Sequence, residues 1–168
     1  MTVTDELVRA AERYAGAFDK PDLPAPPARH VAIVACMDAR LNPYGLLGLR
    51  EGDAHIIRNA GGVVTEDVIR SLTISQRLLG TREIVLLHHT ECGMLSFRDD
   101  QVKDQIQAEV GIRPHFALEA FADVEEDVRQ SIARIQASPF VPHTDQVRGF
   151  VYDVRSGRLR EVGAPVRA

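Results

Sequence analysis

The sequence lacks a basic excess, lacks a long apolar run and has almost no cysteine. Lys and Arg total 20 against 24 Asp and Glu, for a net charge of −4. No basic run or basic–aromatic interleaving occurs, which argues against nucleic acid as a partner. No stretch approaches the ~20 apolar residues of a membrane span, so no membrane partner is expected. The opening MTVTDELVRAAERYAGAF carries Asp5, Glu6 and Glu12 and has no apolar core, unlike a secretory signal. Two cysteines without an export signal suggest a reducing, cytoplasmic compartment, where metal binding or reactivity is favoured over a disulfide. Internal repeats are absent. At 168 residues, 45% hydrophobic and 26% charged, one domain spanning 1–168 is expected, large enough to close a core without staples.

What is present reads as an α/β layout. Residues 4–18 predict a helix, capped by Thr4, with Leu7, Ala11, Tyr14 and Phe18 on one apolar stripe. Four prolines between Pro21 and Pro27 then exclude helix or central strand, so 1–20 form an arm and 21–29 an extended connector. The arm's stripe must be buried on its own subunit or on a partner. Val31–Ala35 is continuously apolar, which suits a parallel strand covered on both faces. A short helical turn from Asn42-Pro43, a strand over 54–58 and a glycine loop at Asn59–Gly62 follow. Helices are predicted over 65–79, 99–110 and 123–136, and strands over 82–88, 147–154 and 159–162. The alternation implies a mostly parallel four-stranded sheet with an added C-terminal strand, flanked by helices. Ligands bind such sheets beyond the carboxyl ends of the strands.

Chemistry gathers at two of those ends. Val31–Ala35 runs into Cys36, Asp38 and Arg40; Ile84–Leu87 runs into His88, His89 and Cys92. Two thiolates and an imidazole favour Zn²⁺ at a four-coordinate centre, so Cys36, His89 and Cys92 are the candidate metal ligands. Asp38 is the candidate for the fourth position, and Arg40 is its competitor through a bidentate ion pair. With Asp38 on Arg40, water can take the open corner; with Asp38 on the metal, the site is closed. Asp38 can accept a hydrogen bond from a zinc-bound hydroxide, and Arg40 keeps it ionised. His88 is expected to point away from His89 and to be structural. His30, His55, His115 and His143 read as ordinary surface or core residues, and Glu91 as solvated.

Three blocks, Ala35-Cys36-Met37-Asp38-Ala39-Arg40, Arg58-Asn59-Ala60-Gly61-Gly62 and His88-His89-Thr90-Glu91-Cys92-Gly93, resemble the β-class carbonic anhydrases, most of all the short bacterial, mycobacterial-type members. The resemblance covers nearly the whole chain. It implies reversible hydration of CO₂ to bicarbonate, with Cys36, His89 and Cys92 as zinc ligands. Asp38 and Arg40 would be the catalytic dyad, with Asp38 as a conditional fourth ligand. It also implies a homodimer or higher homo-oligomer in which the N-terminal helix extends onto a partner subunit. Gly61 and Gly62 would lie near the substrate pocket, where Tyr44 is a further candidate. Many family members carry a glutamine before the first strand; Pro24–His30 contains none, which bears on substrate orientation and not on the zinc site. Two other readings remain: the same zinc site acting on CS₂ or COS, and a zinc-closed bicarbonate-sensing module.

Overall fold

The computed structural model describes residues 1–163; the last five residues of the expected 1–168 domain lie outside the described residues. Five strands form one sheet in the order β2-β1-β3-β4-β5. They are β1 (Val31–Cys36), β2 (Ala54–Asn59), β3 (Glu83–His89), β4 (Val147–Tyr152) and β5 (Leu159–Val162). β1 pairs in parallel with β2 and β3, β3 in parallel with β4, and β5 returns antiparallel as a hairpin. The central strands β1 and β3 are the most buried, because parallel strands covered on both faces have no solvent side.

Helices α1 (Val3–Gly16), α2 (Pro43–Leu47), α3 (Glu66–Arg77), α4 (Asp99–Val110) and α5 (Val124–Ala137) complete the fold. On one sheet face, Val68 and Leu72 of α3 and Val128, Ile132 and Ile135 of α5 cover Ala32, Val34, Ile84 and Leu86. The other face buries Ile33, Ala35 and Leu87 under Leu41, Leu46, Leu47 and Met94. α5 reaches β4 closely only because position 149 is glycine: a Cβ there would stand 2.2 Å from Val128 Cγ1. The short α2 starts as expected, with the Asn42 side chain accepting from the Gly45 amide. α3 is capped by Thr65, with Val64 and Ile69 joining the same apolar cluster on either side of the cap.

Several boundaries differ: α1 ends at Gly16 and not at 18, β3 starts and ends one residue later than expected, and β4 ends at Tyr152 and not at 154. α1 is capped by Thr2, not Thr4: Thr2 and Asp5 form a reciprocal capping box, and Thr4 lies inside the helix. α3 ends at Arg77, and Gly80, with φ +75°, turns the chain two residues beyond the cap Leu78. α1 and α4 contain no buried residue. The arm's apolar stripe lies in the open, with Leu7 on α1 65% and Phe18, just past the helix, 49% exposed, and polar contacts from Tyr14 and Lys20 to Glu51 tie the arm to the body. No helix among the described residues is long and apolar enough to cross a membrane.

Candidate metal centre

The strand order reverses direction at β1, which has β2 on one side and β3 on the other. A crevice opens beyond the carboxyl ends at such a point. Cys36 is the last residue of β1 and His89 the last of β3; Cys92 follows three residues on. Bringing Cys92 back toward His89 needs a tight reversal. Glu91 supplies it with φ +54°, a left-handed conformation unusual for a residue with a Cβ.

One ligand atom from each of Cys36, His89 and Cys92 lies within 4.8 Å of the others, and all three residues are buried. The two sulfurs are 4.0 Å apart, and both thiols are free. Sulfurs bound at ~2.3 Å to a tetrahedral ion stand about 3.8 Å apart, so the pair is already spaced for one metal. His89 Nδ1 is 2.8 Å from the Thr90 carbonyl, to which it donates, and this leaves the lone pair on Nε2. That Nε2 is buried with no hydrogen-bond partner. An orphaned acceptor beside two thiols is costly unless it has a cation to bind, so the residues fit a soft divalent metal.

The three groups are electrostatically linked. The hydrogen bond from Cys92 outweighs burial and lowers the Cys36 thiol to about 4, and the same contact, with burial, pushes Cys92 up. The two thiols therefore share one proton between them when the first ionises. Burial disfavours a charged His89, but the nearby Cys36 sulfur and the Thr90 carbonyl prevail and raise its pKa.

Asp38 stands at the edge of this cluster, its Oδ2 3.6 Å from His89 Nε2. Its carboxylate is held by Arg40: Nε donates to Oδ1 at 2.9 Å, Nη2 to Oδ2 at 2.7 Å, and the Arg40 amide to Oδ1 at 2.9 Å. These hydrogen bonds hold the Asp38 carboxyl well below the usual carboxylate range. Arg40 is braced in turn by the Glu91 carbonyl at 3.1 Å. The Glu91 side chain is not simply solvated: its carboxylate pairs with Arg155 and lies 3.8 Å from Arg40 Nη1.

A cavity of about 320 Å³ opens on the cluster, lined by Met37, Gly61, Met94 and Phe97 beside Cys36, Asp38 and Cys92. Gly61 thus faces the cavity. Gly62 lies behind it, with φ +72° and its Cα hydrogens against the β1 backbone. Tyr44, on α2 and 43% exposed, is not among the lining residues. A larger cavity, about 620 Å³ between α3 and Phe140, is lined by none of the clustered metal-capable residues found among the described residues, so size does not mark the candidate site.

His88 turns to the opposite face from His89, fully buried, with Nε2 2.7 Å from Asp127 Oδ2 on α5. Sequence reading missed two contributors to the site. The Arg155 partner of Glu91 lies on a distant turn and left no local signal. Arg58, in the second sequence block, donates to the Cys36 carbonyl at 3.0 Å and the Asp38 carbonyl at 2.8 Å. Its position at a strand end was the only signal available.

The chain is similar to known proteins along most of its length. The sequence profile described as “Carbonic anhydrase” matches residues 31–159. Beta-carbonic anhydrase 1 of Mycobacterium tuberculosis is 61% identical over 162 residues, covering 96% of this chain and 99% of that protein. The crystal structure of carbonic anhydrase from Streptococcus mutans superposes with a TM-score of 0.90 at 44% identity, covering 97% of this chain and 99% of that one. A carbon disulfide hydrolase of Acidithiobacillus thiooxidans is similar at 34% identity over 156 residues, 80% of this chain and 78% of that protein. With the profile spanning most of the chain and the mycobacterial relative matched almost end to end, the protein belongs to the β-carbonic anhydrase family.

Proposed function

We propose that this protein interconverts CO₂ and bicarbonate, using Zn²⁺ held by Cys36, His89 and Cys92. The observation that carries the reading is the partnerless, buried Nε2 of His89 converging with two thiols beside a carboxylate that Arg40 holds back. A zinc ion bound there supplies Lewis acidity, which makes water a nucleophile near neutral pH. The chain's own groups orient that chemistry. Arg40 fills two acceptor positions of Asp38 Oδ1 and one of Oδ2. A carboxylate has about four such positions, so Oδ2, the oxygen on the His89 side, keeps one free. Because Asp38 is ionised it can only accept, and it fixes the direction of a proton at that point. Met37, Met94 and Phe97 give an apolar approach that suits an uncharged linear substrate. Stopped-flow CO₂ hydration by the zinc-loaded protein tests this, and no turnover above buffer background at pH 8.5 would reject it.

Hydrolysis of CS₂ at the same site is the less favoured reading, since the carbonic anhydrase relative matches more closely and over more of the chain. A closed sensing site needs Asp38 on the metal; the bidentate contact to Arg40 opposes that. The exposed stripe of α1 supports a homo-oligomer in which the arm lies on a partner subunit. The two free thiols support a cytoplasmic location.

A further inference from the structure

We infer that Arg58 is a positioning residue for the reaction, clamping the main chain between Cys36 and Asp38. The inference rests on the roles proposed for those two residues. β1 leaves the sheet at Cys36, its final ladder contact being the Met37 amide donating to the Asn59 carbonyl at 2.8 Å. From there to Arg40 the chain has no strand or helix to fix it. Arg58 lies directly across from this exit, paired in register with Ala35. One planar guanidinium reaches both carbonyls, Nε to Cys36 and Nη2 to Asp38. Two donors in a rigid plane set the separation of two acceptors, which a single flexible donor cannot do.

The partner choice is informative. Among the described residues Arg58 forms no ion pair, unlike Arg40 and Arg155, so its charge is committed to two main-chain oxygens. Asp38 is consequently gripped at both ends by different elements. Arg40, anchored to the Glu91 carbonyl beyond β3, holds the carboxylate; Arg58, on β2, holds the carbonyl. Without Arg58 the Cys36 carbonyl loses this side-chain donor and the Asp38 carbonyl keeps only the Leu41 amide, at 3.0 Å, so the segment can shift and carry the free acceptor of Oδ2 away from the His89 side. Misplacement of a reacting group by about 1 Å can cost 10²-fold in rate.

Arg58→Met and Arg58→Lys test the inference against the unsubstituted protein. The readouts are steady-state CO₂ hydration and the visible absorption spectrum of Co²⁺-loaded protein at pH 8. Arg58→Met is expected to bind one Co²⁺ per chain with an altered spectrum. Its kcat should fall about 10- to 100-fold, with KM changed less than about twofold. Arg58→Lys, able to reach one carbonyl, should lose about three- to tenfold. A purely structural clasp would lower Tm and leave both kcat and the Co²⁺ spectrum as in the parent; that result overturns the inference. If Arg58→Met does not fold, Arg58→Lys decides alone, and parental kcat in it overturns the inference. An unsubstituted enzyme that fails to hydrate CO₂ would instead overturn the proposed function, and this inference with it.

Discussion

Gly62→Ala is the most demanding single-atom test of how the centre is built. A Cβ at this position would lie 2.8 Å from the Cys36 nitrogen, 3.1 Å from the Ala35 carbonyl carbon and 3.3 Å from the Leu87 oxygen. All three are main-chain atoms of β1 and β3, so no side chain can turn aside; the strands themselves must part. Left-handed backbone, φ +72° here, costs an alanine ~1 kcal/mol. Overfilling a rigid interior adds about 1–3 kcal/mol. Together these give a loss of about 2–4 kcal/mol. At roughly 2–4 °C per kcal/mol for a chain of this size, Tm should fall by about 5–15 °C. The strain falls on the residue that carries one sulfur, so metal affinity should drop as well. Urea and thermal unfolding of the metal-free protein measure the first effect, and competition with a chromophoric chelator measures the second. Gly16→Ala, whose Cβ would meet nothing within 4 Å, is the control and should change stability by less than ~0.5 kcal/mol. A Gly62→Ala protein with parental Tm and parental metal affinity would refute the close-approach argument.

Other perturbations separate the remaining roles. Asp38→Asn should retain metal at full stoichiometry by elemental analysis and lose at least 10²-fold in kcat, since a neutral amide cannot serve as an ionised acceptor held by Arg40. Asp99 accepts from the Leu118, Glu119 and Ala120 amides at 2.7–3.2 Å. Burial disfavours its charge, but those three amides prevail and lower its pKa. Asp99→Ala should therefore cost about 2 kcal/mol at pH 7. The lowered folded pKa means this contribution is complete above the unfolded value near 3.9 and is lost as pH falls through the folded one. Urea midpoints of parent and variant should thus converge as pH falls below the unfolded value and through the lowered folded one. Leu7→Asp with Phe18→Ser should shift sedimentation toward the monomer with little change in far-ultraviolet circular dichroism, because both side chains are exposed within one chain. An unchanged assembly would remove the arm from the interface.

The features legible in the sequence were those with a local cause. Val31–Cys36 announced a doubly covered strand because nothing polar interrupts it, and the candidate metal ligands stood out because Cys36 and His89 end such strands and Cys92 follows three residues on. Tertiary pairing erased other signals. Asp127 meets His88 from a helix 39 residues away, and Arg155 meets Glu91 across 64. Neither spacing has a period that sequence inspection can detect. Thr2 and Thr4 are equivalent caps by residue type, and only the Asp5 side chain closing on the Thr2 amide decides between them. Arg58 read as one charged residue at a strand end because its targets are carbonyls, which every residue carries.

The candidate metal donors come from the tips of two neighbouring strands, separated in the chain by α2, β2, α3 and the loops between them. No shorter fragment of this polypeptide can gather them, so a nascent chain has no high-affinity trap until β1 and β3 lie side by side. If the proposed ligands hold a cation, its capture has to follow the pairing of β1 with β3. Withdrawing the cation should loosen the whole sheet and not merely silence one corner of it, because the affinity for the ion and the stability of the strands are linked quantities.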